Sequence, residues 1–459
     1  MTSTPTPAAA ARRFVRADLI VLGVELALIA TAAIVGAVLN RRGVGLYAET
    51  APIYAFWRPH VGWGTPLTIA VAAAVIIWGV RWARTARWGP LLAAGYLAAV
   101  AWTLSLALVD GWTVGVASRL TNQAEYLHEV HRITDIPAML AGFSGRILDF
   151  QPESWSTHTA GHPPGALLVF VWLDRIGLGG GAAAGLACIL IGATMVVSIP
   201  AALRWLGAAD AARAVLPFLV LLPGAVWIGA SGDGVFTGVV AAGLALLAAR
   251  HPAAPLTGGL LLGFALYLSY GFVLVGLLAI AVLALRPGRF LPALLTAAAG
   301  VAAVVAAFTL AGFWWWDGYQ LVVVRYYQGW AAERPYVYWV WANLAAMLLS
   351  AGLVTGPALR RTIAAALPAR RGETDSAVAG GWLRAAAQPA ILLPLMAAVA
   401  IVAADLSGLS KAEVERIWLP FVVWLLVATA HLPARTHRWW LAGQAATALA
   451  VNHLLLTFS

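Results

Sequence analysis

Charged residues are scarce in this sequence, and cysteine is almost absent. Only 10% of the 459 residues are charged, whereas 62% are hydrophobic. A soluble domain carries about 25% charged residues, so this composition excludes a fold that presents its whole surface to water. The single cysteine, Cys188, lies in an apolar segment, which excludes a disulfide framework and a site built from several thiolates.

Long apolar runs take the place of the missing charge. Runs of about 17–25 residues, the length that a helix needs to cross the hydrocarbon core, recur along the chain. Because lipid offers no hydrogen-bond partner to the backbone, such runs must cross as helices. We therefore predict an all-α polytopic transmembrane helix bundle of about 11–13 spans, in a single integral-membrane domain over residues 1–459. The predicted spans lie near residues 17–39, 65–81, 90–109, 182–203, 213–230, 233–250, 256–285 (two short crossings), 291–313, 337–356, 388–404, 417–432 and 439–457.

The basic residues mark one side of the predicted bundle. Most of the 29 Lys and Arg residues fall in loops on the side of Arg12, Arg13 and Arg16, whereas most of the 19 Asp and Glu residues fall on the other side. By the positive-inside rule, the N-terminus is cytoplasmic and the acid-rich loops are extracytoplasmic, in a multi-pass protein of the cell (inner or plasma) membrane. The net charge of +10 does not indicate a nucleic-acid partner, because the arginines are spread over short loops as orientation signals are.

This orientation also decides how three other features are interpreted. Residues 162–177 cannot cross the membrane without inverting the charge of every later loop, so we expect a short helix on, or dipping into, the outer leaflet. Residues 358–387 lack hydrophobic periodicity and predict a flexible cytoplasmic loop. Glu25 stands near the middle of the first span, where a carboxylate is a candidate functional residue unless it is protonated and hydrogen-bonded to a neighbouring helix.

The predicted extracytoplasmic loop 110–181 carries the richest group of polar residues. Asp110 lies at its membrane edge, and residues 125–135 place apolar side chains at helical spacing. This spacing predicts an amphipathic interfacial helix. Its polar side includes Glu125, and Asp135 stands at its end. Solvation of an interfacial face explains that polar side equally well. His158 and His162 come next, and Pro164 suits the first turn of the following helix.

Two later stretches lie on the same predicted side. The stretch 314–336 is rich in aromatic residues, and a membrane-interface belt explains its tryptophans but not Arg325, which precedes Tyr326. The stretch 405–416 contains Lys411, Glu413 and Arg416. Its two basic residues are suited to holding a phosphate, although anchoring to lipid headgroups explains them equally well.

A divalent metal is possible, but the sequence does not require one. His128 lies within helical reach of Glu125 and Glu129, yet no His-Glu-x-x-His motif is present. His158 and His162 are four residues apart, but the prolines that follow make paired ligation a weak prediction. The metal ligands are therefore unknown, and no cofactor is certain.

A further acid on the predicted outer side, Asp233, lies within residues 231–234. It is interpreted as part of a tight turn between two spans.

At this point the loops resemble those of integral-membrane glycosyltransferases of the GT-C superfamily. The resemblance depends on a long loop with an acid at its membrane edge, an interfacial helix, and the run His162-Pro163-Pro164-Gly165 that opens the next helix. The charged run from Lys411 to Pro420 before a late span resembles a loop of actinobacterial members.

The resemblance implies a polyprenyl-phosphate sugar donor in the bilayer and a glycan or glycolipid acceptor of the cell envelope on the extracytoplasmic face. It implies transfer with inversion, a carboxylate base and stabilisation of the leaving phosphate by basic residues. Asp110 is the expected base, followed by Asp135 and Glu125. Family members place this acid after the first span, where only Glu49 is available here, so Glu49 stays an alternative. The expected substrate-binding residues are His158, His162, Arg325, Tyr326, Lys411, Glu413 and Arg416.

Two other classes of protein compete with the glycosyltransferase. A membrane transporter or lipid flippase is favoured by Glu25 and by a span broken near Ser269 and Tyr270, since discontinuous helices mark transport sites. Against transport, the sequence has no internal repeat, and its charges gather in the loops. The third class is a non-catalytic assembly protein with the same ancestral fold.

Overall fold

Helices that are long and apolar enough to cross a membrane dominate the structure. The computed structural model describes residues 7–367 and 387–457. A helix of 20 residues is about 30 Å long, which matches the hydrocarbon core. The predicted all-α polytopic bundle is thereby confirmed, and the chain is a multi-pass membrane protein. The described ranges contain six such helices: Val15–Arg41, Gly64–Thr85, Trp88–Ala107, Gly181–Trp205, Phe290–Leu310 and Pro389–Leu406.

Other predicted crossings are bent or short. Tyr336–Ala351 and Thr355–Ala366 meet at 97°, and Leu419–His431 and Ala434–Leu454 meet at 116°. Counting each bent pair as one span gives up to eight described spans. The predicted 11–13 crossings also include shorter apolar helices, so that number stays a prediction. These shorter helices are Asp233–Ala248, Ala254–Leu266 and Tyr270–Leu285.

Short helical segments connect the long helices. A 3₁₀ turn, Tyr270–Leu274, interrupts the chain near Ser269 and Tyr270, where the sequence predicted a break. The first helix extends from Pro7 to Arg41, and the span Gly64–Thr85 contains a π-helical turn, Val75–Gly79. The remaining segments are Thr113–Ala117, Arg119–Thr121, Leu127–Val130, Ile136–Gly142, Ser144–Arg146, Thr157–Gly161, Pro164–Arg175, Ala209–Val220, Ala225–Ile228, Val275–Leu285, Trp315–Gln328, Trp330–Ala332, Val414–Ile417, Leu419–Leu425, Leu426–His431, Ala434–Thr436 and His437–Leu454.

Small residues let the central helices approach closely. The helix Asp233–Ala248 is almost wholly buried. It packs against Ala254–Leu266, where a Cβ added to Gly258 would lie 2.9 Å from the carbonyl oxygen of Gly243. In membranes, helices associate through such close backbone packing rather than through exclusion of water. The buried helix therefore positions Asp233, its first residue, at a fixed point of the bundle.

The loop 110–181 differs from the predicted interfacial helix. Only Leu127–Val130 is helical within residues 125–135, and it makes a single turn. The side chains of Glu125 and Glu129 are 1% and 2% exposed, so the expected solvated polar face is wrong for these two acids. The reason is that later parts of the same loop cover this turn and supply their own polar partners. The expected helix after His162 is present as Pro164–Arg175.

Carboxylates of the first helix hold the bent helix Thr355–Ala366. Asp18 binds both Arg360 and Arg361, and Glu25 Oε1 accepts a hydrogen bond from Gly356 N at 2.6 Å. Residues 358–366, predicted to begin a flexible loop, are instead helical because this helix is anchored by Asp18 and packs against the first span. The rest of that prediction, 368–386, lies outside the described residues.

A two-stranded antiparallel ribbon joins distant parts of the chain. Ala55–Trp57 pairs with Leu455–Thr457, with Ala55 opposite Thr457. Arg58 N donates to Leu454 O, and His60 N donates to His453 O, which extends the pairing. The ribbon lies at the end of the bundle that carries residues 42–63, 108–180, 311–335 and 407–418, which we call the loop face.

Candidate active site on the loop face

Arg416 is the centre of a buried ion-pair network. Its side chain is 7% exposed. Nη1 donates to Asp233 Oδ2 at 2.9 Å, and Nη2 donates to Glu413 Oε2 at 2.6 Å. Nη2 also lies 3.1 Å from His158 Nε2. A guanidinium at this depth requires several such partners, since a buried charge without partners is strongly unfavourable. We define the Arg416 network as Glu125, His158, Asp233, Arg334, Glu413 and Arg416.

Glu125 joins the network through His158. Glu125 Oε1 lies 2.7 Å from His158 Nδ1. Because Nε2 of this ring faces the donor group of Arg416, we assign the proton to Nδ1, which donates it to Glu125. Glu129 Oε1 accepts a hydrogen bond from Ser156 N at 2.9 Å, which fixes the start of the short helix that carries His158. The two buried acids thus orient the histidine.

His162 lies behind His158 in an apolar setting. Its Nδ1 is 2.9 Å from the hydroxyl of Tyr126 and 2.8 Å from the carbonyl oxygen of His158. The ring also packs against Phe236. Burial lowers the pKa of His162 to about 4, so the ring is neutral at pH 7. It therefore supports the site by packing and hydrogen bonding rather than by charge.

A strained loop presents Glu413 to Arg416. Ala412 and Glu413 have φ angles of 73° and 63°, in the left-handed region that residues other than glycine seldom adopt. Asn343 holds this conformation, because its Oδ1 accepts from Ala412 N at 3.3 Å and its Nδ2 donates to Ser410 O at 2.7 Å. Strained backbone fixed by its surroundings in this way clusters at functional sites.

Residues of the aromatic-rich stretch complete the site. Arg334 Nη1 lies 3.3 Å from Glu413 Oε1, and Arg334 also donates to backbone carbonyls of the first loop. The hydroxyl of Tyr326 accepts from Lys411 N at 2.8 Å, and Lys411 Nζ donates to Ala331 O at 2.9 Å. Arg325 instead pairs with Asp149 at 2.6 Å, which ties this stretch to the loop 110–181.

The pKa values in the strained loop diverge strongly. Burial alone would raise the pKa of Glu413, but Arg416 and Arg334 together lower it to about 2. Burial lowers the pKa of Arg416, whereas the acids Glu413 and Asp233 raise it, and the net result is an increase. Burial raises the pKa of Glu415 to about 7. One oxygen of Glu415 accepts from Tyr54 N at 3.0 Å, and the other has no hydrogen-bond partner in the described structure.

The acid expected to be the base, Asp110, lies in a second cluster. Its two oxygens are 2.8 Å from His60 Nε2 and 2.7 Å from Arg119 Nη2. Arg119 also donates to the carbonyl oxygen of Thr457 in the ribbon. Within the described residues, Asp110 forms no ion pair with a member of the Arg416 network, and through Arg119 it fastens the ribbon to the bundle.

The other acids predicted from the sequence lie at the surface. Asp135 is the N-cap of Ile136–Gly142 and accepts from Ala138 N at 3.0 Å. Glu49 is exposed. Within residues 7–367 and 387–457, no group of three or more His, Cys, Asp and Glu side chains is placed to hold a metal ion.

Sequence reasoning missed Asp233, Arg334 and Glu415. Asp233 was interpreted as part of a tight turn, yet it begins a buried helix and is 4% exposed. The only available signal was the position of a carboxylate at the edge of a span, which favours function but does not identify a partner. Arg334 and Glu415 were visible as charges in loops already singled out.

Comparison with protein-family models, curated proteins and solved structures found no match to this chain. The chemistry of the site therefore has to be argued from its own geometry. Guanidinium groups bind phosphate oxygens, and carboxylates or an oriented imidazole accept protons. The Arg416 network and Glu415 bring both kinds of group together in one water-poor region at the end of a membrane bundle.

Proposed function

We propose that this chain is a membrane glycosyltransferase that uses a polyprenyl-phosphate sugar donor. The acceptor is a glycan or glycolipid of the cell envelope, and transfer takes place with inversion on the extracytoplasmic face of the cell membrane. One observation carries the proposal. Arg416 is buried between Glu413 of its own loop and Asp233, which is 183 residues away in sequence, at the end of a bundle whose lipid-facing surface suits a lipid-linked donor.

The basic residues bind the leaving group in this proposal. The bond between the anomeric carbon and the phosphate oxygen breaks, and the phosphate leaves with one additional negative charge. Arg416 and Arg334, whose present partners are carboxylates, exchange part of those contacts for phosphate oxygens. Lys411 lies beside them and adds a third positive charge. Stabilising the charge that develops on a leaving group is usually the largest contribution to catalysis.

We assign the base to Glu415 rather than to Asp110. The acceptor oxygen forms a bond to the anomeric carbon while its proton passes to a carboxylate oxygen. Glu415 is adjacent to Arg416, has one oxygen without a partner, and has a pKa of about 7, close to the value that serves a general base best. Both oxygens of Asp110 are already engaged by His60 and Arg119.

A transfer assay tests this assignment. Purified protein in proteoliposomes is incubated with radiolabelled polyprenyl-phosphate sugars and envelope acceptors, and radioactivity in the acceptor is counted. We expect Glu415→Gln to reduce transfer by about 10²–10⁴-fold, the usual contribution of a general base. We expect Asp110→Asn to retain most of the activity if its elution on gel filtration is normal. The opposite order would refute Glu415 as base, and absence of transfer with every donor would refute the enzyme.

The alternative function is a membrane transporter or lipid flippase. It is favoured by the 97° bend between Ala351 and Thr355 and by the buried Glu25, which accepts a hydrogen bond at the start of the second helix of that pair. Broken helices of this kind are typical of transport sites. Counterflow of a labelled lipid or solute in the same proteoliposomes, without glycosyl transfer, would favour this function instead.

A further inference from the structure

An open groove lies on the loop face, outside the Arg416 network. Its volume is about 540 Å³, within the range of about 300–1,000 Å³ that is usual for ligand sites. One wall is the helix Trp315–Gln328, which we call the groove helix, and the other is part of the loop 110–181. The lining residues are Ser144, Gly145, Leu148, Gln151, Asp317, Gln320 and Leu321.

The two walls of the groove are fixed to each other. Arg325 of the groove helix pairs with Asp149 at 2.6 Å, and the side-chain oxygen of Gln328 accepts from Asp149 N at 2.8 Å. The guanidinium of Arg146 stacks on Trp155 at 3.4 Å from the ring centroid, which holds the loop wall from behind. The groove is thus preformed, and a ligand would not have to order it.

The polar lining of the groove is unused by the protein itself. The side chains of Ser144, Gln151, Asp317 and Gln320 make no hydrogen bond or ion pair within the described residues. Amide and hydroxyl groups donate as well as accept, so they suit a ligand that does both. Asp317 is the only charged lining residue, and it disfavours an anion. Leu148 and Leu321 add apolar surface between the polar groups.

We propose that this groove binds an uncharged carbohydrate. Sugars present hydroxyl groups that both donate and accept, separated by apolar C–H faces, which matches this lining. The inference deepens the proposed function, because the groove would hold the acceptor glycan. The groove helix packs against the short helix that carries His158, and Tyr326 on the same helix contacts Lys411. Gln320 and Tyr326 are about 9 Å apart along the helix, so a bound glycan would lead toward the Arg416 network.

Single cysteines provide a binding test that does not depend on catalysis. The natural Cys188 is fully buried, so Gln320→Cys gives one accessible thiol in the groove. Val61→Cys, on an exposed position of the loop face outside the groove lining, is the matched control. We would measure the rate of modification by a membrane-impermeant maleimide with maltotriose, mannotriose or arabinotriose present at about 10 mM. A trisaccharide of a uronic acid serves as the charged comparison.

We expect at least one neutral trisaccharide to slow modification of residue 320 several-fold and to leave residue 61 unaffected. Binding of that sugar is also titrated without any introduced cysteine. Gln151→Ala should then bind it about three- to tenfold more weakly than the natural sequence, which is the effect of one lost hydrogen bond. Equal rates at residue 320 with and without all three sugars would overturn the inference, as would stronger protection by the uronic acid. Protection without glycosyl transfer would refute only the enzyme, whereas transfer without protection would refute only this groove as the acceptor site.

Discussion

Replacing Arg416 by methionine should destabilise the fold more than the same replacement of an exposed arginine does. The substitution keeps most of the side-chain volume but removes the charge between Asp233 and Glu413, whose side chains are 5% and 19% exposed. Removing one partner of a buried ion pair costs about 3–5 kcal/mol, because the other charge stays buried without it. Asp233 keeps its hydrogen bond from Ser231, and Glu413 keeps Arg334. We therefore expect about 3–5 kcal/mol in total rather than that amount for each acid.

The measurement is unfolding in mixed micelles, followed by tryptophan fluorescence, for which the 22 tryptophans provide a strong signal. Arg132→Met is the control, since its side chain is 41% exposed and its pair with Glu153, itself 70% exposed, contributes at most about 1 kcal/mol. Its other partner, the buried Glu129, keeps Arg146 and the backbone amide of Ser156. Adding Asp233→Asn to Arg416→Met should restore about 1 kcal/mol or more, because a neutral amide is less unfavourable than an unpaired carboxylate. Equal effects of Arg416→Met and Arg132→Met, or no restoration in the double variant, would refute the reasoning.

Three further outcomes can be measured with the same preparation. Folding raises the pKa of Glu415 from 4.5 to about 7. The contribution of Glu415 to stability is therefore present below pH 4.5 and lost as the pH rises through 7. Glu415→Gln should remove this part of the pH dependence of the unfolding midpoint. Asp18→Asn should cost about 1–3 kcal/mol, because two arginines lose a shared carboxylate; an unchanged midpoint would contradict this. Tyr126→Phe should cost about 1 kcal/mol through its lost contact with His162, and a gain in stability would show that the contact is unfavourable.

The membrane helices could be predicted from the sequence because their signal is local. A run such as Phe290–Leu310 is apolar over its whole length, and lipid requires it to be helical whatever its neighbours are. Its predicted limits, 291–313, differ from the structure by only a few residues. The bend at Gly352 is harder to predict, because Gln444, far away in sequence, occupies the space that a side chain at Gly352 would need.

The candidate site was only partly predictable because its contacts are long-range. Glu125, His158, Glu413 and Arg416 were singled out from their loops, and the structure places them together. Asp233 was not singled out, because an acid next to glycine is typical of an ordinary turn. Its partner Arg416 is also 183 residues away in sequence.

Two further differences have the same origin. Asp110 at a membrane edge gave no sign that His60 and Arg119 would engage both of its oxygens. The helical spacing of residues 125–135 showed amphipathic character, but it did not disclose which polar side chains would be covered by the rest of the loop.

The ribbon between Ala55–Trp57 and Leu455–Thr457 has a consequence for the order in which the protein is completed. Its strands are about 400 residues apart in sequence. During synthesis the first strand therefore has no partner strand until nearly every helix has entered the membrane. Only when the second strand leaves the ribosome can Thr457 accept its hydrogen bond from Arg119 and the surroundings of Asp110 be completed. Until then residues 55–60 lack their backbone pairing, so folding intermediates should be cleaved by protease at residues 55–60 more readily than the completed protein.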